Sequence, residues 1–425
     1  MVTAETKALL PSASTEASNS DEKKSRSWIG VAVACFVGLG WILKPSGAGP
    51  ASNAGPASHA GPASNAGPAS NAGPASIAGP ASNPEHRQDD DPLHKSKKKV
   101  KKNVESEFSP CDDGHYSKRT LKLAYELPFG SLFRDNKGQK KYEASDVILV
   151  DDNAYAVHDS SWAISKFTTQ LQPFTDANIQ LGDPLREDED SGYEALLHED
   201  GVFYVVRESV LHDNATYHAI IEELVLGADD YELGAVCPCE FEFEGDSKGF
   251  EGAIAVKDLD NEMVVLGLCE GNHCSESRKN DKGNGKLVAM RKKVLEDGSC
   301  QWSTIRTIDI PESAFFKDYS AIALNPQGRV VITSQEESQV WFGNLVGKNE
   351  DGLWDIAKME FSAKKTVVYD FPKNDQCQTI YCNVEGIHWI NDEMLMAVSD
   401  KMKSKGKQDF RCFDKDQSVH VFVVP

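Results

Sequence analysis

Helical periodicity is almost missing from this 425-residue chain, and its cations are outnumbered, with 45 Lys and Arg against 66 Asp and Glu. The formal charge of −21 excludes a nucleic-acid binder, because neutralising phosphates takes a dense Lys/Arg face. The one strongly basic stretch, His94 to Lys102, lies outside the region that can fold and reads as a solvated linker. No G-x-S-x-G elbow and no Ser/His/Asp order appears, which sets serine-esterase chemistry aside. The close cysteine pairs lack the two-residue spacing of a zinc knuckle, and Cys237-Pro-Cys239 is too tight for a tetrahedral chelate.

Long apolar runs are scarce too, and the exception is Trp28 to Leu43, which carries no charge and follows Lys23, Lys24 and Arg26. It reads as a signal anchor that enters the lipid bilayer with residues 1–27 in the cytoplasm and the rest outside, a type II topology on the secretory pathway or cell surface. Cleavage after Ser46-Gly47-Ala48 with secretion is the competing reading. From Ala48 to Asn83 the hexapeptide AGPASN recurs six times, broken only by His59 and Ile77. Gly, Pro, Ala and Ser at that density bury too little apolar area to offset chain entropy, so residues 44–110 are expected to be a disordered stem.

What remains, residues 111–425, is expected to be an exoplasmic domain. Nine of the ten cysteines follow the anchor, with Cys269, Cys274, Cys377, Cys382 and Cys412 as disulfide candidates of open connectivity. Nine is odd, so one thiol is left over. Asn214-Ala-Thr216 is a glycosylation sequon.

Short runs of Val, Ile, Leu, Phe and Tyr alternate with turn residues throughout this domain, which makes it all-β. A two-strand unit recurs five times, opening at Ala144, Tyr193, Phe250, Tyr319 and Val384, with further strand-like runs after each. Radial repetition of four-stranded sheets is a β-propeller, five-bladed or possibly six-bladed, with Thr120 to Leu127 completing the last blade beside the C-terminal strand. In such a ring the openings Ser145, Glu194, Glu251, Ser320 and Glu385 meet around the axis. The second strands end at Asp159, Glu208, Glu270, Glu336 and Asp400 near the same mouth. Eight carboxylates at one end repel, and an all-oxygen ring suits Ca²⁺ as the cation that relieves them. The strand-end acids are the catalytic candidates, able to bind a second metal or to position water. The competing reading is that the acids cap strand ends and meet lysines or arginines.

The Ser/Glu/Glu/Ser/Glu order, with openings such as ASDVILVDDNAYAVHD and a late VEGIHWI, resembles the calcium-activated nucleotidases (apyrases), five-bladed propellers with one Ca²⁺ in the channel. The chain departs from them where Ser160 follows Asp159 and Gly271 follows Glu270, places at which those enzymes carry arginines for nucleotide phosphates. GFEGAIAV, VVLGLCEGNHC, DYSAIAL, VVITSQEES and CNVEGIHWI are similar to the phytase-like esterase propellers over nearly all of the domain. That resemblance implies a metal-dependent hydrolase acting on a small anionic or ester substrate. A non-catalytic propeller that binds a glycan or protein, with Ca²⁺ purely structural, is the alternative. Substrate and oligomeric state are not legible.

Overall fold

The computed structural model describes residues 119–186, 190–212, 216–245, 248–270, 274, 283–403 and 410–425. The proposed anchor at 28–43, the stem, Cys111 and Asn214 lie outside the described residues. Among the described residues there is no α-helix, and no helix long and apolar enough to cross a membrane.

Twenty-one strands fall into five groups. The chain enters through β1 (Lys122–Pro128), then builds β2 (Ala144–Val150), β3 (Asn153–His158), β4 (Ser161–Thr168) and β5 (Ile179–Leu181) as an antiparallel sheet in sequence order. The second group is β6 (Tyr193–Glu199), β7 (Val202–His212), β8 (Thr216–Leu226) and β9 (Tyr231–Phe243); the third is β10 (Phe250–Lys257), β11 (Met263–Cys269), β12 (Lys286–Val294) and β13 (Cys300–Asp309). In the fourth, β14 (Ala321–Leu324), β15 (Arg329–Ser334) and β16 (Gln339–Val346) continue to β18 (Val367–Asp370), while the two-residue β17 (Glu360–Phe361) pairs the far end of β16. The last group, β19 (Val384–Asn391), β20 (Met394–Ser399) and β21 (Ser418–Val423), takes β1 as its fourth strand, as the sequence led one to expect.

The first strands touch in a closed cycle, β2 to β6 to β10 to β14 to β19 and back to β2. The apolar residues follow the same cycle, in five clusters that each fill the gap between two neighbouring sheets. Ile148 and Trp162 pack with Tyr193 and Leu196 between the first and second sheets, for example, and Val147 and Phe167 pack with Met396 and Val398 between the first and the last. Alternation along a strand puts apolar residues on both faces of each sheet, so every sheet is sandwiched by its neighbours. This radial stacking is a β-propeller.

One pair of sheets is joined further at the rim. Outer strands β9 and β13 meet in a parallel bridge at Cys239 and Trp302, the disulfide Cys237–Cys300 crosses the same seam, and Glu240 accepts from the Thr304 amide. Cys269 pairs with Cys274, and Cys382 with Cys412 rather than with nearby Cys377, which is also disulfide-bonded. The unpaired thiol among the described residues is Cys239, buried in the seam. With Cys237 in a disulfide, the tight Cys-Pro-Cys has no chelating role.

Candidate metal centre at the channel mouth

A single backbone device, used four times, places the mouth residues. Four inner strands shift register against their partners at the mouth end, between Ala144 and Asp146, Tyr193 and Ala195, Phe250 and Gly252, and Val384 and Gly386. The residue passed over is Ser145, Glu194, Glu251 and Glu385 in turn. A β-bulge frees its residue from the ladder and re-aims the side chain, here at the axis rather than into the gap between sheets. A second device seats the strand-end acids. The amides of Asp159, Glu208, Glu270 and Asp400 donate to the carbonyls of Glu143, Gly192, Gly249 and Asn383, each two residues before the bulged position, at 2.8–3.1 Å.

The fourth sheet departs from this pattern. Ala321 pairs with Thr333 with no register shift, and counting from that pair puts Gln335, not Glu336, at the place of the strand-end acids. Sequence comparison without register set Glu336 one residue too far along. Asp318 takes the role of the missing carbonyl, accepting from Ser334 Oγ, the Gln335 amide (2.9 Å) and the Glu336 amide (3.1 Å). Ser320 Oγ is spent on Thr333 Oγ1 (3.0 Å) and the Val384 carbonyl (3.1 Å), whereas Ser145 Oγ is buried with no hydrogen-bond partner.

Carboxylate oxygens of Asp159, Glu194 and Glu208 all lie within 4.8 Å of one another. Burial first, then Glu251, Asp159, Glu208 and Glu385, push the Glu194 carboxyl well above the usual range, and its strongest charged neighbours are all acids. Glu251 is raised by burial and by Glu270 and Glu208, and Glu385 by burial, Asp400 and Glu251. Both keep a partial opening to solvent. Asp159 is pushed up to about 6 by burial, Glu143 and Asp190, and Asp400 to about 7 by burial, Glu143 and Asp159. The structure thus gathers three glutamates and four strand-end acids at one mouth.

Lysines do meet part of this charge. Lys248 pairs with Glu270 at 2.9 Å, Lys403 draws down Glu251, Glu385 and Asp400, and Lys141 does so for Asp159. The competing reading of the acids, that they meet lysines or arginines, therefore fits Glu270. Further along the inner strands lies a space of about 150 Å³ of mixed lining, with Ile148, Leu196, Ile254 and Ile387 beside Asp146 and His388. Asp146 is buried there and accepts from the Leu196 amide (2.9 Å), tying two inner strands together. An acid at the head of an apolar strand was its only trace in the sequence.

Beside Asp159 and Glu208 opens a cleft of about 700 Å³, with Arg207 in its wall. The guanidinium is fixed by Glu222 (2.9 Å) and the Ser191 carbonyl (2.9 Å), and lies 4.8 Å from the Trp162 ring centre. Nothing in the repeat singled out this arginine.

No family model matches the chain, and no curated protein matches it in sequence. Among solved structures it is similar to a putative oxidoreductase (glucose dehydrogenase) from Thermus thermophilus, at 9% identity and a TM-score of 0.35 over 72% of this chain and all of that one. It is similar also to a GH43_1 enzyme from Xanthomonas citri (9% identity, TM-score 0.39, covering 71% of this chain and 90% of the other). A GH32 β-fructofuranosidase from Bombyx mori shows 9% identity and a TM-score of 0.36, over 71% of this chain and 59% of its own.

Proposed function

We propose that the chain is a membrane-anchored, five-bladed propeller of the exoplasmic side that holds Ca²⁺ at the channel mouth and hydrolyses phosphoesters or esters there. The observation that carries the reading is the approach of carboxylate oxygens of Asp159, Glu194 and Glu208 to within 4.8 Å of one another, with acids as the strongest charged neighbours of Glu194. Five first strands in a closed cycle support the blade number. Three disulfides among the described residues support an oxidising compartment, and Trp28 to Leu43 supports the anchor.

The donor set fits a hard cation, since it consists of carboxylates with the orphaned hydroxyl of Ser145 nearby in the ring and contains no His or Cys. Asp159, Glu194 and Glu208 would hold the ion, and Glu251, Glu385 and Asp400 would extend the oxygen surface. When bound, the cation supplies Lewis-acid polarisation of an ester oxygen. Arg207, locked by Glu222 and Trp162, orients an anionic group in the cleft at no further ordering cost.

The non-catalytic reading is favoured by one contact, the Lys248–Glu270 pair, which removes a strand-end acid from chemistry. Metal analysis of the purified chain, then a phosphoester and ester panel with and without chelator, separates the two. Chelator-sensitive turnover that Glu208→Gln reduces at least tenfold is the expected result. Calcium that raises the melting temperature with every substrate inert would leave only the structural role.

A further inference from the structure

The second sheet carries an addition that its four counterparts lack among the described residues. Strands β3, β11, β15 and β20 stop at the mouth, at His158, Cys269, Ser334 and Ser399, but β7 runs four residues past Glu208 to His212. After a register shift between Arg207 and Val210 it pairs again with β8, through Val210 with His218, Leu211 with Tyr217 and His212 with Thr216. The root of this hairpin is fixed, because Ser209 Oγ donates to the Gly245 carbonyl (2.6 Å) and its amide to the Lys248 carbonyl (3.1 Å). Val210, Leu211 and Tyr217 line the cleft on this side, while Asp159, Asp190, Arg207 and Glu208 line the rest. Val210 and Leu211 are 39% and 51% exposed, which leaves an apolar surface open beside the acids of the mouth.

We propose that this hairpin is the specificity wall of the cleft, and that its substrate is a phosphomonoester bearing an aromatic or branched aliphatic group, which packs on Val210, Leu211 and Tyr217. The inference rests on the metal-centre reading for the site of the phosphoryl group, and adds what the rest of the molecule must be. Charge argues the same way. Even with one divalent cation bound, Asp159, Asp190, Glu194 and Glu208 leave no positive excess, and the one guanidinium among the described residues lining the cleft, that of Arg207, is shared with Glu222. A polyphosphorylated substrate would find the cation and Arg207 for one phosphoryl group and repulsion for the others. A single phosphoryl head with an apolar body matches both walls, and discrimination by an apolar contact of this size is typically about 10-fold or more.

Binding rather than turnover tests this on the full-length chain. In Ca²⁺, 4-nitrophenyl phosphate, glycerol 2-phosphate and inositol hexakisphosphate are titrated calorimetrically onto wild type and onto Leu211→Ser, an exposed site whose replacement leaves the core alone. The expected result is a preference of about tenfold for 4-nitrophenyl phosphate over glycerol 2-phosphate, falling to about threefold or less in the variant. Equal affinities, a preference that Leu211→Ser leaves unchanged, tightest binding of the hexakisphosphate, or no binding of any of them overturns it. A Leu211-dependent preference without cleavage of the nitrophenyl ester upholds the wall while refuting the hydrolase reading.

Discussion

Replacing Glu194 by Gln should change the sign of its effect on stability with the presence of calcium. Its carboxylate lies with those of Asp159 and Glu208 inside 4.8 Å. At that separation and an effective dielectric near 20, each ionised pair repels by about 3.5 kcal/mol, so three charges would cost about 10 kcal/mol. The metal-free protein escapes most of this by keeping a proton. Holding one glutamic acid protonated at pH 7 costs about 1.4 kcal/mol per pH unit above its ordinary value of 4.5, about 3 kcal/mol in all. Glutamine needs no proton, so in chelator at pH 7 the variant should melt about 5 °C or more above wild type. At pH 5 the gap should nearly vanish. The sign follows from linkage: Asp159 and Asp400 are raised to about 6 and 7, so the metal-free fold holds protons the unfolded chain has lost, and its stability falls as pH rises through those values. In calcium at a thousand times its dissociation constant, wild type gains about 4.1 kcal/mol that the variant forfeits, more than the deficit in chelator, and the order inverts. Scanning calorimetry of both proteins at two pH values, with calcium and with chelator, reads all of it. If Glu194→Gln melts lower under every condition, the carboxylate is a structural acceptor and the repulsion argument fails.

Three further outcomes probe the closure of the ring. Burial alone would raise the Glu126 carboxyl, but hydrogen bonds from His420 and Lys415 hold it down to about 2, so it stabilises above pH 4.5 and that contribution is lost as pH falls toward 2. Allowing for partial solvent screening, Glu126→Gln should cost about 1–2 kcal/mol at pH 7, and a gap in urea midpoints from wild type that does not narrow between pH 5 and pH 2 would refute the clamp. Gly386 lies where a Cβ would sit 2.6 Å from the Asp146 backbone of the next inner strand and 2.5 Å from Val398, so Gly386→Ala should cost about 2–3 kcal/mol, and an unchanged melting temperature would mean that β2 and β19 do not approach as described. Removing Cys237–Cys300 with a double serine variant opens a loop of 63 residues and should cost about 4 kcal/mol; a loss under 1 kcal/mol would show that the β9–β13 seam holds without it.

The fold was legible because its signal is periodic and repeated. Strands such as Asp146 to Val150 and Arg329 to Ser334 stand out by composition, and a repeat with an acid at each strand end needs no tertiary knowledge to be seen. The ring members were legible for the same reason. What escaped depends on register. A one-residue bulge decides whether Gln335 or Glu336 stands at the mouth, and the fourth sheet, which has no bulge, differs there by one place. Asp146 and Asp318 were invisible because their partners are backbone amides 50 and 17 residues away, contacts that leave no pattern in composition. In the sequence the second strand reads as ending at Glu208, and only the pairing of Val210 to His212 with β8 shows that the strand runs on past the sheet.

The pairing of β1 with β21 sets an order of events. Leu123 faces Phe422 across that ladder, so the fifth sheet stays one strand short until the first and last strands of the domain are both in place. Local hairpins can form as each unit appears, but this contact closes a loop of roughly three hundred residues, whose entropy must be met by packing already present. Until then the outer edge of β21 offers unpaired backbone groups to any passing strand, including β1 of another copy. Domain-swapped dimers, exchanging one strand, are therefore the characteristic misfolding product to look for when refolding at high concentration.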